Sequence, residues 1–167
     1  EYENRIFDYF NHHTIISKQD RELINHPSKS TIEIIENGIS EDFFNYQSKS
    51  EKTHELLFTG NMNYPPNIEC SEFIVNEIAP LLSDCKIKIS GASPHQRILE
   101  LKKESQVEVT GWVDDIRDSY ASAKIFVAPL FIGTGLQNKL LEAMAMGLPV
   151  ITTPLANNAL KAAPNKQ

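Results

Sequence analysis

Apolar runs and helical periodicities alternate along the chain from His54 onwards. Leu56-Leu57-Phe58 is a continuous apolar run, typical of a strand that is covered on both faces of its sheet. Pro65 opens the next segment, which we predict to be a helix. Its apolar residues recur every three or four positions and define one buried face, formed by Cys70, Ile74, Ile78 and Leu81. This spacing makes Cys70 a core residue rather than a reactive thiol.

Strand and helix signals continue to alternate with short connections. Strands are predicted over residues 86–90, 107–110, 125–128 and 150–152, and helices over 95–103, 114–121 and 136–146. This alternation is typical of an α/β fold in which helices cover both faces of an open parallel sheet. Little chain follows the last strand, and residues 156–163 are at most a helix start. We therefore expect the domain to be truncated at its C-terminus, because doubly wound domains usually add a further strand and helix.

The segment before His54 has a different pattern. Short β-branched runs at residues 14–17 and 32–35 predict two strands, and Ser17 is positioned to cap a helix that starts at Lys18. Residues 42–52 are polar without periodicity, which we interpret as a linker. The chain is therefore divided into 1–53, the end of one domain with an interdomain linker, and 54–167, a second domain.

Composition and charge exclude several classes of protein. The 167 residues include 16 Lys and Arg and 22 Asp and Glu, a net charge of −6, which argues against a nucleic-acid partner. No apolar run approaches the roughly 20 residues needed to span a bilayer, and no export signal is visible. The five histidines lie on unrelated segments, so no metal site is predicted. With two cysteines and no disulfide pattern, we expect a cytoplasmic protein.

Three segments are expected at the carboxyl ends of the strands, where ligands of such sheets bind. Gly60 and Asn61 follow the first strand of the sheet. Gly111, Trp112 and Val113 follow the third, and the Trp112 ring could either stack on a ligand or pack under its own loop. The last segment runs from Pro129 to Gly135 after the fourth strand.

The last segment carries the most chemistry. Gly133 and Gly135 flank Thr134 just before a helix, where backbone N–H groups could hold an anion such as phosphate. On the helix we expect an apolar stripe, formed by Leu136, Leu140, Ala143 and Met144. Asn138, Lys139 and Glu142 fall on a different face.

Two interpretations of this helix stay open on the residues alone. Lys139 could neutralise phosphate charge, and Glu142 could accept hydrogen bonds from two neighbouring sugar hydroxyls. Alternatively, the two side chains could form a surface ion pair worth about 0.3–0.5 kcal/mol, with the glycines only shaping a loop. The loop after the first strand lacks a G-x-G-x-x-G motif, so nothing supports a nicotinamide or flavin cofactor.

The run from Pro129 to Thr153 reads P-L-F-I-G-T-G-L-Q-N-K-L-L-E-A-M-A-M-G-L-P-V-I-T-T. It resembles the signature of the C-terminal nucleotide-sugar-binding domain in the retaining glycosyltransferases of family 4, the group 1 glycosyl transferases. Upstream, I-I-S-K-Q-D and I-E-I-I-E-N-G-I-S-E-D-F resemble the family's crossover from its N-terminal domain. F-T-G-N-M-N-Y-P-P-N resembles the first loop, and V-T-G-W-V-D-D-I-R the loop that receives the base. The resemblance implies the GT-B architecture, in which two Rossmann-like domains face each other across a cleft.

The resemblance implies a function and its limits. It implies transfer of a sugar from a nucleoside diphosphate donor to a glycan or lipid-linked acceptor, with retention at the anomeric carbon and without a metal or other cofactor. Ribose binding carries over to Glu142. Any catalytic base and the acceptor site are expected in the N-terminal domain, so this chain alone should bind rather than catalyse. Peripheral contact of the full-length protein with a membrane stays open.

Three departures from the family pattern matter. Thr134 stands where many members have a glutamate that contacts the donor sugar. Asn61 takes the place of an arginine that binds pyrophosphate, and no lysine follows before Lys86; we infer that Lys139 supplies the missing charge. The forms G-x-M-x-x-P-x-N and G-x-G-x-x-x-K look like a subgroup tied to bacterial exopolysaccharide synthesis.

Two alternatives to a glycosyltransferase stay open. They are a catalytically silent nucleotide-sugar-binding domain and a GT-B nucleotide-sugar 2-epimerase.

Overall fold

The computed structural model describes residues 2–48, 51–132 and 135–164. Its strands are β1 (Thr14–Ile15), β2 (Glu33–Ile34), β3 (His54–Thr59), β4 (Ile87–Ser90), β5 (Val107–Val109), β6 (Ala123–Ala128) and β7 (Val150–Thr152). Its α-helices are α1 (Tyr2–Phe7), α2 (Lys18–Leu23), α3 (Glu41–Phe44), α4 (Pro65–Phe73), α5 (Gln96–Glu100), α6 (Ile116–Ala121), α7 (Asn138–Ala145) and α8 (Pro154–Leu160).

A parallel sheet organises the fold, and its order in the described part of the chain is β5-β4-β3-β6-β7. Leu57 in β3 is in register with Lys88 on one side and Phe126 on the other. The chain builds the sheet outward from β3 through β4 to β5, then returns to place β6 on the other side. The carboxyl ends of β3 and β6 therefore form a topological switch point, where ligands of such sheets bind. The predicted fold class, an open Rossmann-like parallel sheet flanked by helices, is confirmed.

The core lies on both faces of β3. Leu57 and Phe58 are consecutive in the strand, so they point to opposite faces, and both are fully buried. Fully burying one such side chain stabilises the fold by roughly 1.5–3 kcal/mol. Cys70 of α4 is buried in the same core, and burial raises the pKa of its thiol to about 12. The interpretation of Cys70 as a core residue is confirmed.

The helix that begins at Pro65 departs from the prediction at its C-terminal end. α4 passes into a π-helical turn at Ile74–Ile78 and then into a 3₁₀ turn at Ala79–Leu81. Both turns differ from the α-helix in residues per turn, so the buried face rotates. Ala79 is buried, whereas Leu81 is 81% exposed. The predicted helix face is wrong at Leu81.

α7 is shorter than predicted. Gln137 has extended backbone angles and is the N-cap, so Leu136 lies before the helix rather than in it. Leu140 and Ala143 are buried as expected, but Leu136 and Met144 are only half-buried. The predicted stripe is confirmed at its centre and wrong at its two ends.

The predicted linker also contains structure. Ser40 caps α3, and Phe43 of this helix packs edge-on against the Tyr120 ring at a centroid distance of 6.2 Å. The interpretation of residues 42–52 as a featureless linker is therefore wrong at its start. At the other end of the chain, Thr153 caps α8, which is a full helix and not only a helix start.

The two strands and the helix cap predicted in the N-terminal segment are present, whereas α1 was not predicted. β1 and β2 form a parallel pair of their own, and Ser17 caps α2 by accepting a hydrogen bond from the Asp20 N–H at 3.0 Å. The division of the chain at residues 53 and 54 stays a prediction. In the described residues, no helix has both the length and the apolar character needed to cross a membrane.

Candidate functional site

Three glycines follow the carboxyl ends of neighbouring strands, and backbone hydrogen bonds connect the loops in which they lie. Gly60 follows β3, Gly91 follows β4 and Gly111 follows β5. The Gly60 N–H donates to the Ser90 carbonyl at 3.2 Å, and the Gly91 N–H donates to the Gly111 carbonyl at 3.1 Å. Gly91 has a φ of 149°, and a Cβ there would lie 1.8 Å from the Gly60 oxygen. Only glycine fits at residue 91, because any side chain would collide with the loop after β3.

Asn67 holds the loop after β3 in place through a side-chain hydrogen bond. It lies in the first turn of α4 and is buried, and its Nδ2 donates to the Asn61 carbonyl at 2.9 Å. A Cβ on Gly60 would lie 2.6 Å from the same Nδ2. The exposed Asn61 side chain turns back on its own loop and accepts a hydrogen bond from the Asn63 N–H at 3.0 Å. The residue in the expected arginine position thus serves the loop geometry.

Lys139 reaches this loop from the other side of the switch point. It lies in the first turn of α7, and its Nζ donates to Asn67 Oδ1 at 2.5 Å. The same Nζ lies 4.8 Å from the centroid of the Phe58 ring, and a Cβ on Gly60 would come within 3.2 Å of it. Burial lowers the pKa of Lys139 to about 8, and the nearby thiol of Cys70 and carboxylate of Glu142 oppose that shift. A cation is therefore held directly beneath the backbone that follows β3.

Glu142 lies one turn further along α7 and has a different partner. The Tyr120 hydroxyl donates to its Oε2 at 2.7 Å, and that hydroxyl also lies 2.8 Å from Thr59 Oγ1 at the end of β3. The second carboxylate oxygen, Oε1, has no hydrogen-bond partner in the part of the chain that the structure describes. The interpretation of Lys139 and Glu142 as a surface ion pair is wrong, because the two side chains bond to different groups in the interior.

The loop between β6 and α7 is described only in part, since Gly133 and Thr134 lie outside the described residues. Gly135 and Leu136 are half-buried. The α7 N-cap, Gln137, makes no side-chain capping bond, so no side chain of the N-cap occupies the first N–H groups of the helix. A Cβ on Gly135 would lie 3.2 Å from Asp20 Oδ2, which brings the N-terminal segment against the start of α7.

Trp112 and Val113 face a separate cavity of about 730 Å³ at the β5 side of the sheet. The cavity is also lined by Thr110 and Ser119, whose hydroxyls both hydrogen-bond to Ser90 Oγ. Trp112 is 69% exposed, so its ring does not pack under its own loop. The structure therefore agrees with a Trp112 ring that is free to stack on a ligand and disagrees with a ring packed under its own loop.

The sequence profile of the family described as Glycosyl transferases group 1 matches residues 53–164. The match includes every strand of the five-stranded sheet and both sides of the switch point. The chain belongs to this family.

Solved glycosyltransferase structures share the fold of this group 1 domain. A glycosyltransferase from Rickettsia africae is 18% identical, with a TM-score of 0.70 over 98% of this chain and 49% of that one. Anabaena Alr3699/HepE in complex with UDP and glucose is 13% identical, with a TM-score of 0.72 over 93% of this chain and 48% of that one. The pneumococcal O-GlcNAc transferase GtfA, in complex with UDP and GlcNAc, is 15% identical, with a TM-score of 0.68 over 95% and 33%. This chain thus spans about a third to a half of these proteins. No curated protein sequence is significantly similar to it.

The structure brings five of the eleven predicted site residues together, and three further residues hydrogen-bond to them. Gly60, Asn61, Lys139 and Glu142 meet at the switch point, and Gly111 is joined to them through Gly91. Asn67, Gly91 and Tyr120 were not predicted as site residues. The sequence could have pointed to two of them. Gly91 follows a predicted strand, and Asn67 belongs to the P-P-N run that opens a predicted helix, whereas no local pattern marks Tyr120.

Proposed function

We propose that this chain is the donor-binding part of a retaining, metal-independent glycosyltransferase of family 4. In this proposal the full-length protein transfers a hexosyl group from a nucleoside diphosphate sugar to an acceptor hydroxyl. The observation that carries the proposal is the convergence of Lys139 and Glu142 on the switch point beside Gly60. Membership of the group 1 family supports it, as does the similarity in fold to structures that contain UDP and a sugar.

Each polar group then has a task. Glu142 accepts hydrogen bonds from the ribose hydroxyls through Oε1, and Lys139 neutralises part of the diphosphate charge from beneath Gly60. The N-terminal end of α7 adds the positive end of a helix dipole. Charge that develops on the leaving diphosphate would meet these preorganised groups. Further contacts to the nucleotide sugar are proposed for Asn61, Gly111, Trp112, Val113, Gly133, Thr134, Gly135 and Leu136.

We assign the acceptor site and any catalytic base to the N-terminal domain of the full-length protein. We propose a glycan or lipid-linked acceptor and a role in surface polysaccharide synthesis in the cytoplasm, with peripheral contact to the membrane. The motif forms at residues 60–67 and 133–139, which resemble the exopolysaccharide subgroup, support this role. WaaG, a glycosyltransferase involved in lipopolysaccharide biosynthesis, shares the fold with a TM-score of 0.61 at 17% identity.

Product analysis on the full-length protein tests the proposal. The protein is incubated with a panel of nucleoside diphosphate sugars and acceptors, with and without EDTA, and the anomeric configuration of the product is read by NMR. Transfer with retention that EDTA leaves unchanged is expected. An inverted product or loss of transfer in EDTA would refute the mechanism, an epimerised nucleotide sugar would indicate the 2-epimerase, and donor binding without turnover would indicate a catalytically silent domain.

A further inference from the structure

A chain of three hydrogen-bonding side chains runs through the interior beside the switch point. Thr59 ends β3, Tyr120 lies in α6 and Glu142 lies in α7, so each comes from a different element. The Tyr120 hydroxyl lies 2.8 Å from Thr59 Oγ1 and 2.7 Å from Glu142 Oε2. Tyr120 has a relative exposure of 0% and is among the largest fully buried side chains of the protein.

The direction of this chain follows from what each group can donate. An ionised carboxylate only accepts, so the bond between Tyr120 and Glu142 uses the single phenolic proton. Burial raises the pKa of Tyr120, and the negative charge of Glu142 raises it further, which keeps that proton in place. The Thr59 hydroxyl can then donate to the Tyr120 oxygen, giving the sequence Thr59 to Tyr120 to Glu142. The Lys139 carbonyl lies 3.3 Å from the same hydroxyl and is a weaker second acceptor.

This arrangement holds one oxygen of Glu142 and leaves the other available. Oε2 is bound by a phenol that the core fixes, since the Tyr120 ring packs against Phe126 at a centroid distance of 5.5 Å and against Phe43 at 6.2 Å. Oε1 has no partner among the described residues. A glutamate on a helix surface would otherwise sample several rotamers, and a ligand would lose affinity in ordering it.

We propose that Tyr120 is a positioning residue that orients Glu142 for ribose recognition, with Thr59 orienting the Tyr120 hydroxyl. The inference rests on the proposed role of Glu142 in binding the ribose of the donor. It assigns the preference for a ribonucleotide to the three-residue chain and not to Glu142 alone.

Matched substitutions test the proposal by their effect on two ligands. Tyr120→Phe removes the hydroxyl and keeps the ring, Thr59→Val removes the donor at the other end, and Glu142→Gln weakens the acceptor. Tyr46→Phe is the control, because it also removes a phenolic hydroxyl, one that bonds to Asp118 and to none of the three side chains. Affinities for UDP and for 2′,3′-dideoxyuridine diphosphate are measured by calorimetry, and melting temperatures verify folding.

Tyr120→Phe is expected to weaken UDP binding about 3- to 10-fold, the usual effect of losing one hydrogen bond, with less than about a 2-fold effect on the dideoxy ligand. In the background of Glu142→Gln the effect of Tyr120→Phe should shrink, because the two residues act as a unit. Thr59→Val should cause a smaller loss in the same direction, and Tyr46→Phe none. The proposal would be overturned if Tyr120→Phe weakened the binding of both ligands equally. It would also be overturned if Tyr120→Phe and Thr59→Val both left the affinity for UDP unchanged.

A second measurement separates this inference from the proposed function. NMR couplings across the Glu142 side chain report its rotamer distribution in the protein without nucleotide. They should indicate one rotamer in the native chain and in Tyr46→Phe, and averaging in Tyr120→Phe. Unchanged couplings in Tyr120→Phe refute the positioning role, whatever UDP does. Failure of the native chain to bind UDP, ADP, GDP or CDP would refute the proposed function instead, and the couplings would still decide the role of Tyr120.

Discussion

Lys139 joins the two halves of the switch point at the scale of a single residue. Its main chain belongs to α7, after β6, while its Nζ bonds to Asn67 beneath the loop after β3. The ammonium is buried at the expense of its hydration, and its pKa falls to about 8 as a result. The charge of the site therefore depends on pH within an accessible range.

We expect UDP affinity to fall as the pH rises through about 8 in the native protein, because Lys139 loses its charge there. The terminal phosphate of UDP is already mostly doubly ionised above pH 7, since its second pKa lies at about 6. Bound diphosphate stabilises the ammonium, so the decline begins near the pKa of the free protein and levels off at the higher pKa of the complex. Calorimetry from pH 7 to 9.5 at constant ionic strength measures the effect.

Lys139→Met should remove this pH dependence and bind UDP at least about tenfold more weakly at pH 7, while binding of uridine changes little. Lys124→Met is the matched control, because Lys124 is exposed and pairs with Glu55 on the surface. The role assigned to Lys139 would be contradicted by the same pH slope in Lys139→Met and in the native chain.

Gly91 shows how closely the backbone approaches itself at the sheet edge. Gly91→Ala would place a Cβ 1.8 Å from the Gly60 oxygen, in addition to the strain of a φ of 149°. We expect a loss of about 3 kcal/mol or more in the free energy of unfolding, since both the strand ends and the loop must move. Urea unfolding measures it.

Gly38→Ala is the control for Gly91→Ala, because nothing lies within 4 Å of a Cβ at residue 38. It should change the free energy of unfolding by less than about 0.5 kcal/mol, or stabilise slightly by restricting the unfolded chain. Similar effects of the two substitutions would mean that the strand ends do not meet as described.

At the scale of the element, the helix after β3 shows that apolar spacing is reliable only while the helix keeps its pitch. The spacing holds from Cys70 to Ile74, and both are buried. The π-helical turn that follows adds a residue to the turn, so the phase is lost by Leu81. Pro80 in the 3₁₀ turn is a local signal of this change that the apolar spacing does not register, because proline lacks an N–H and usually ends or kinks an α-helix at the preceding residue.

Two truncations along this segment should therefore differ sharply. Ile74→Ala removes a fully buried side chain and is expected to lower the free energy of unfolding by about 2–5 kcal/mol. Leu81→Ala alters an exposed side chain and should stay within about 0.5 kcal/mol. Thermal or urea unfolding of both variants decides the matter. A large loss in Leu81→Ala would support the uninterrupted α-helix that the spacing predicts.

α7 shows a second limit of element prediction. Its apolar centre, Leu140 and Ala143, follows from periodicity, but its start at Asn138 follows from the extended backbone of Gln137. Asn138, Lys139 and Glu142 were predicted to lie on a different face from the apolar stripe. In the structure Asn138 is exposed, whereas Lys139 and Glu142 bond to Asn67 and Tyr120, which lie on different elements.

At the scale of the whole molecule, the chain spans only a third to about half of the glycosyltransferases that share its fold. The proposed acceptor site and base are assigned to another domain of the full-length protein. We expect this chain to bind UDP measurably and to show no sugar transfer. Calorimetry with UDP and a turnover assay with UDP-sugars check both halves of the expectation, with the full-length protein as the positive control. Sugar transfer by this chain alone would contradict the assignment of the acceptor site and base to another domain.

The architecture and the edge of the candidate ligand site were predictable from the amino-acid sequence alone. Apolar runs such as 56–58 and 125–128 mark buried strands, because a strand covered on both faces has no polar side. The glycines at 60 and 111 mark the ends of β3 and β5, because Asn67 leaves no room for a side chain at Gly60 and Gly111 has a φ of 76°. The run from Pro129 to Thr153 resembles the group 1 signature, and the family match agrees.

The pairing of the polar side chains in the candidate site could be seen only in the folded chain. Asn67 and Tyr120 come from segments far apart in the sequence. Their partners on α7, Lys139 and Glu142, come within hydrogen-bond distance because the sheet order places β3 and β6 side by side. Hydrogen bonds of this kind depend on distance and direction in space, which local spacing does not encode. The burial that lowers the pKa of Lys139 has the same origin, because it is a property of the packed core and not of the helix that carries the residue.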